Sequence, residues 1–223
     1  MSWQVSVVPH GTEQQPVVVI DGFADAERFL DDVSFLSLRP IGAHYPGVRA
    51  VVAPALLRDL LAALAPVARD VFGVDGLEVV DAFYSLVTRP ASALTPIQRL
   101  PHFDEVSSSR LALLHFLSRD ESSGTAFYRH RSTGFESIDA ARLGEYRAAL
   151  QADIARCGLP DPAYIAGDTP LFEQIATHQG RYNRAILYRS NTLHCAAIPQ
   201  EMALSEDPLS GRLTVNTFLD AAR

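Results

Sequence analysis

His102 and Asp104 stand one residue apart in Pro101-His-Phe-Asp104. On extended backbone, residues i and i+2 point to the same side, so both could converge on one metal ion. Such a pair arises by chance in roughly half of chains with this many histidines, and a turn-capping Asp beside a surface His would look the same. Its weight comes from two later segments. His194 lies near the start of the apolar run Leu193–Ile198 and would complete a set of two histidines and one carboxylate. That set leaves three adjacent coordination positions open, which suits non-haem Fe(II) oxygen chemistry. Arg212 follows in Gly211-Arg-Leu-Thr214. On a strand Arg212 and Thr214 share a face, which Asn216 continues, and a guanidinium with a hydroxyl can grip a terminal carboxylate. All 19 basic residues are Arg, so any cationic anchor must be an arginine. Schiff-base and Walker-type lysine chemistry is excluded.

Other polar residues have plainer readings. His115, inside Leu-Leu-His-Phe-Leu, is expected to be a hydrogen-bonded core residue, and His178 a helix end near solvent. Arg129 and Arg131 alternate with Tyr128 and His130; they could bind an acidic substrate or form a solvated strand face. Tyr45 and Arg49 could belong to a substrate-covering loop, although the Pro46-Gly47 turn explains their spacing as well. Cys195 has no Cys/His/Asn arrangement around it and reads as a small packed residue.

The elements that must position these groups follow from periodicity. Val17–Ile20 reads as a short buried strand, and Asp25 could cap a helix to about Leu36. Residues 37–53 read as a Pro/Gly-containing loop. Leu57, Leu60, Leu61 and Leu64 predict a helix from Pro54 to Phe72, ended by Gly73. Thereafter β-branched and aromatic runs predict strands over Leu77–Val87, Arg110–Ser118, Thr125–His130, Arg184–Arg189, Leu193–Ile198 and Leu213–Leu219, with one helix from Asp139 to about Arg156. Helices followed by many short strands point to an α+β sandwich or barrel with supporting helices on one outer face.

With 223 residues, 48% hydrophobic and 20% charged, the chain suits one domain with a sizeable core. A net charge of −7 and no basic cluster argue against a nucleic-acid partner. Two cysteines, Cys157 and Cys195, support neither a disulfide framework nor a Cys-rich zinc site. The opening Met1-Ser-Trp-Gln-Val does not read as a signal peptide, and the apolar stretch from Ala53 to Ala68 is broken by Arg58, Asp59 and Pro66. A cytoplasmic protein without membrane contact is expected.

The ordered set His102-x-Asp104, Gly124-Thr-Ala-Phe-Tyr128, His194 and Arg212-x-Thr214 resembles the Fe(II)/2-oxoglutarate-dependent dioxygenase superfamily, closest in style to its prolyl-hydroxylase-like branch. The match runs from about Phe83 to Leu219; Tyr45–Arg49 and Gly124–Glu136 also resemble uncharacterised bacterial proteins of that branch. The resemblance implies a double-stranded β-helix (jelly-roll) core with N-terminal helical support. Residues 1–223 would form one oxygenase domain, about 1–75 helical support and 76–223 jelly roll. It implies Fe(II) on His102, Asp104 and His194, with 2-oxoglutarate as cosubstrate and O2 as oxidant. Arg212 would hold the distal carboxylate of 2-oxoglutarate, assisted by Thr214 and, from the preceding strand, by Tyr84. Because Asp104 is a carboxylate, no site is vacated for a halide, which favours hydroxylation of an amino acid, a peptidyl side chain or a related small molecule. Two other readings stay open: a cupin-type metalloenzyme recruiting His115 or His130 as a third histidine, and a silent jelly-roll binding module.

Overall fold

The computed structural model describes residues 3–222. Among the described residues ten strands form two antiparallel sheets, accompanied by three α-helices. Strands β1 (Gln4–His10), β2 (Gln15–Asp21), β3 (Gly47–Val51), β4 (Glu78–Val87), β5 (Leu111–Phe116), β8 (Arg184–Arg189) and β10 (Arg212–Asp220) make a seven-stranded sheet in the order β1-β2-β8-β5-β10-β4-β3. Strands β6 (Gly124–His130), β7 (Phe172–Gln179) and β9 (His194–Ala197) make the second, ordered β7-β6-β9. The arrangement is jelly-roll-like.

Alternation along the strands sorts the core into layers. Leu213 and Val215 of β10, with Tyr84 and Leu86 of β4, join Val18, Ile20, Leu111 and Leu187 on one face of the large sheet. Helices α1 (Ala26–Ser34) and α2 (Pro54–Phe72) cover that face through Phe29, Leu30, Val33, Leu57, Leu60 and Leu64. The opposite face packs against the small sheet through Val17, Val19, Phe116, Ile186, Tyr188 and Phe127. Helix α3 (Leu143–Cys157) lies outside the small sheet, where Tyr146 packs with Tyr128 and Phe172. Because β5 and β8 are covered on both sides, they read as unbroken apolar runs rather than alternating ones.

Helix α2 starts with Pro54 at its first turn and ends at Gly73, whose φ of 68° supplies the left-handed cap. Its bounds are those the leucine spacing predicts. Three strands depart from the sequence expectation. β1 is an edge strand whose valines stay exposed, so it carries no burial signature. β3 was expected as loop; a side chain at Gly47 would collide with the Leu86 carbonyl, so glycine is what lets this edge strand approach β4. β7 includes His178, expected at a helix end, which instead stacks on His10 with ring centroids 4.9 Å apart. The first 75 residues are therefore not helical support alone, since they contribute β1, β2 and β3 to the large sheet. No helix among the described residues is long and apolar enough to cross a membrane.

Candidate metal and carboxylate site

His102 and Asp104 do not sit on a regular strand. They lie on an extended segment that borrows its pairing from the chain around β9. The His102 amide donates to the His194 carbonyl and the His194 amide to the His102 carbonyl, both at 2.8 Å. Two residues on, the Asp104 amide donates to the Ser190 carbonyl at 2.8 Å. This short ladder brings the three side chains together. Asp104 Oδ1 is 3.8 Å from His102 Nε2, and Asp104 Oδ2 is 3.7 Å from His194 Nε2. One ligand atom from each residue lies within 4.8 Å of the others.

The protonation states suit a cation. Burial pulls the pKa of both His102 and His194 down to about 4, with the proximity of His194 adding to the effect on His102. At neutral pH both imidazoles are uncharged. Half of the His102 side chain, 51%, is accessible, but from the cavity that it lines. His194 Nδ1 lies 3.0 Å from the Thr192 carbonyl, which fixes that nitrogen as the proton-bearing one and leaves Nε2 its lone pair towards Asp104. Burial raises the Asp104 pKa against the pull of His102 and Arg49. A divalent cation would restore the carboxylate as a full ligand.

The same cavity, of about 410 Å³, holds Arg212 and Thr214. Arg212 is 3% exposed. Its Nε donates to Ser123 Oγ at 3.1 Å and its Nη2 to the Gly124 carbonyl at 2.9 Å. Gly124 opens β6 so close to β7 that a side chain there would strike the His178 backbone, and this packing places its carbonyl under the guanidinium. Among the described residues Arg212 has no carboxylate partner. A buried cation without a counter-charge is costly, and an anionic ligand would relieve it. Thr214 follows on the same face, its Oγ1 2.6 Å from Asn216 Oδ1 and 3.4 Å from the Ser85 carbonyl.

Tyr84 is not in this site. On β4 it stands opposite Val215, on the helix-covered face, and its hydroxyl donates to Asp32 Oδ2 at 2.8 Å. Strand alternation sends Ser85 and Val87 towards the cavity instead, a one-residue difference that local pattern could not settle. A different tyrosine, Tyr45, does reach the cavity. Burial pushes its phenol up to about 12 against the pull of Arg212, Arg49 and Ser85. Tyr188 and Thr125 also line the cavity with buried hydroxyl oxygens that form no hydrogen bond among the described residues. Such unpartnered donors fit an oxygen-rich ligand.

Other candidates resolve differently. Arg129 is ion-paired to Glu136 and Glu173, and Arg131 to Asp168, so neither is free for an acidic substrate. His115 Nε2 bonds Asn183 Oδ1 at 2.9 Å beside the rings of Phe23 and Phe29, on the helix side of the sheet. His130 packs against Tyr146 and Asp153. Neither can join the metal set, which removes the third histidine that the cupin-type reading needs. Burial raises the Cys195 thiol to about 12, as expected for a packed, unreactive cysteine.

Solved structures share this fold. They include SnoN, described as a non-haem α-ketoglutarate-dependent epimerase from nogalamycin biosynthesis, with a TM-score of 0.54 and 15% identity over 94% of this chain and 78% of SnoN. SnoK, the α-ketoglutarate-dependent carbocyclase of the same biosynthesis, matches at 0.50 and 13% over 94% of this chain and 81% of its own. Iron-bound HygX from Streptomyces hygroscopicus matches at 0.50 and 15%, covering 94% and 84%. At these identities the likeness establishes fold alone. None of the curated proteins matches the chain. Over residues 1–219 the sequence matches DUF6445, so the chain belongs to this family of unknown function.

Proposed function

We propose that this chain is a non-haem Fe(II)- and 2-oxoglutarate-dependent oxygenase. One observation carries the reading: a single cavity combines two neutral histidines and a carboxylate with a buried, unpaired guanidinium. His102, Asp104 and His194 would hold the iron, and Arg212 would hold the distal carboxylate of 2-oxoglutarate. Thr214 and Tyr45 would contribute hydroxyls. On this reading the chain is a double-stranded β-helix enzyme, closest in style to the prolyl-hydroxylase-like branch, acting as one oxygenase domain in the cytoplasm. SnoN, SnoK and HygX, alike in fold, are described as α-ketoglutarate-dependent or iron-bound.

When bound, iron and 2-oxoglutarate would supply oxygen activation coupled to release of succinate and CO2. The protein's own part is positioning and exclusion. The Thr192 carbonyl holds the His194 tautomer, and the ladder through Ser190 fixes Asp104 between the two rings. Arg212, clamped by Ser123 and Gly124, sets the direction from which a dicarboxylate enters. Tyr188, Leu114 and Phe218 wall the cavity with apolar surface that limits water. Because Asp104 occupies the carboxylate position, the reaction proposed is hydroxylation of an amino acid, a peptidyl side chain or a related small molecule.

Anaerobic addition of Fe(II) and 2-oxoglutarate should produce the weak visible charge-transfer band of the chelate. His102→Ala and His194→Ala should abolish stoichiometric metal binding while leaving the fold intact, since each removes one of three ligands. Iron binding as tight as the parent's in both variants refutes the metal set.

A further inference from the structure

A second guanidinium lines the same cavity. Arg49 projects from β3, the edge strand, and stands opposite Ser85 of β4, which in turn stands opposite Thr214 of β10. Two strand spacings place its Cα about 10 Å from that of Thr214. Arg49 and the cosubstrate anchor are therefore separate positions in one row of strands. The Arg49 Nε donates to Ser85 Oγ at 3.1 Å, and the guanidinium lies over the Tyr45 ring at 3.9 Å from its centroid, with Phe83 at 5.4 Å. These contacts fix its plane without using its end. Neither Nη1 nor Nη2 has a hydrogen-bond acceptor among the described residues, and Asp104 and Asp81 act on it only at a distance. Gly42 packs beside the same end, where a Cβ would make ordinary contact with Nη1 at 3.4 Å, and it too lines the cavity. The cavity that Arg49 shares with the candidate metal ligands is also lined by apolar side chains, among them Ile97, Leu100, Phe103 and Ile165.

We propose that Arg49 recognises the substrate, pairing end-on with a carboxylate of a small molecule whose apolar body lies along Ile97, Leu100 and Phe103. The assignment rests on the oxygenase reading for its meaning, but the anion site stands on its own geometry. A planar guanidinium presenting two parallel N–H donors selects a carboxylate over a neutral amide, because the pair is charge-assisted and bidentate. A cavity of about 410 Å³ is at the small end of ligand sites, so with 2-oxoglutarate inside it the space left suits a small acid.

The test uses hexanoate, 3-phenylpropanoate and 4-phenylbutanoate, each against its primary amide. They are titrated by calorimetry into protein carrying Mn(II), a redox-silent stand-in for iron, and saturating 2-oxoglutarate. At least one acid should bind about tenfold or more tightly than its amide. Arg49→Gln should bring the pair to within about threefold while leaving 2-oxoglutarate affinity within about threefold of the parent. Arg49→Lys, which keeps charge but not the planar fork, should recover part of the preference. An absent preference in the parent, a preference surviving Arg49→Gln, or a loss of 2-oxoglutarate binding in Arg49→Gln overturns the assignment. The same probes titrated into metal-free Arg212→Gln separate it from the oxygenase reading. There the carboxylate preference should persist, and it should vanish in the Arg49→Gln/Arg212→Gln double variant. If the parent binds neither Mn(II) nor 2-oxoglutarate, the oxygenase reading fails and this metal-free arm still decides Arg49.

Discussion

Replacing Arg212 with methionine separates what the guanidinium does for the fold from what it does for a ligand. Methionine keeps an unbranched stem, though a shorter one, and is uncharged, so it removes a cation that is 3% exposed and lacks a carboxylate partner among the described residues. Two hydrogen bonds go with it, to Ser123 Oγ and the Gly124 carbonyl, each worth about 1.5–3 kcal/mol when the donor is charged. Against that loss, burying an unpaired ion costs several kcal/mol. The two nearly cancel, so the ligand-free variant should melt near the parent temperature or above it. The liganded state behaves otherwise. At one hundred times its Kd, 2-oxoglutarate should stabilise the Mn(II)-loaded parent by about 2.7 kcal/mol, or about 5–10 °C for a chain of this size. Losing a charge-assisted partner weakens binding by about 2–5 kcal/mol, at least thirtyfold. At the same ligand concentration the variant should gain less than about 1 kcal/mol, or below about 4 °C. Thermal unfolding with and without 2-oxoglutarate, each with Mn(II), reads both quantities. A full ligand shift in Arg212→Met would show that the carboxylate is held elsewhere. A fall of more than about 5 °C in the ligand-free variant would show that the guanidinium is structural.

The corrected tyrosine assignment predicts that Tyr84→Phe loses about 1 kcal/mol through its bond to Asp32, with cosubstrate dependence unchanged. Tyr45→Phe should instead raise the KM for 2-oxoglutarate; the opposite pattern in steady-state kinetics would restore Tyr84 to the site. Burial holds the pKa of His115 at about 4 in the folded chain. The unfolded chain, with an ordinary value of 6.5, therefore binds the proton first. Stability from this group is complete above pH 6.5 and falls by about 3 kcal/mol between pH 6.5 and pH 4. Urea unfolding across that window should lose about 3 kcal/mol of its pH dependence in His115→Gln, the rest staying with the other buried histidines such as His102 and His194. Asp104→Ala should weaken metal binding and substrate-coupled succinate formation, and the unmutated protein should form a product independent of chloride. Chlorinated product from the unmutated protein would refute the hydroxylase reading.

Much of this was legible locally. Helix α2 shows its leucines at helical spacing between a starting proline and a terminal glycine, and the structure keeps those bounds. The strand pattern around β4, β5, β6, β8 and β10 is likewise local, because β-branched and aromatic runs prefer a pleated, half-buried surface. β3 was hidden, since its edge position depends on Gly47 meeting β4, a contact between residues far apart in sequence. β1 and β7 were hidden for a related reason: neither is buried on a clean alternating face.

For the site, residue types and order pointed by themselves to His102, Asp104, His194 and Arg212. An all-arginine complement also meant that any anion anchor had to be a guanidinium. Only tertiary structure decided which of these groups meet and which stay unpaired. The His102–His194 bridge, and not a strand of its own, aligns the candidate metal set. Arg129 finds Glu136 and Glu173, whereas Arg212 and Arg49 keep open ends towards one cavity. Tyr84 and Ser85 differ by one step of the pleat, yet one faces the helices and the other the cavity. Alternation says that neighbouring side chains oppose each other. Which side faces a cavity depends on what the rest of the chain packs against it, and that partner is non-local.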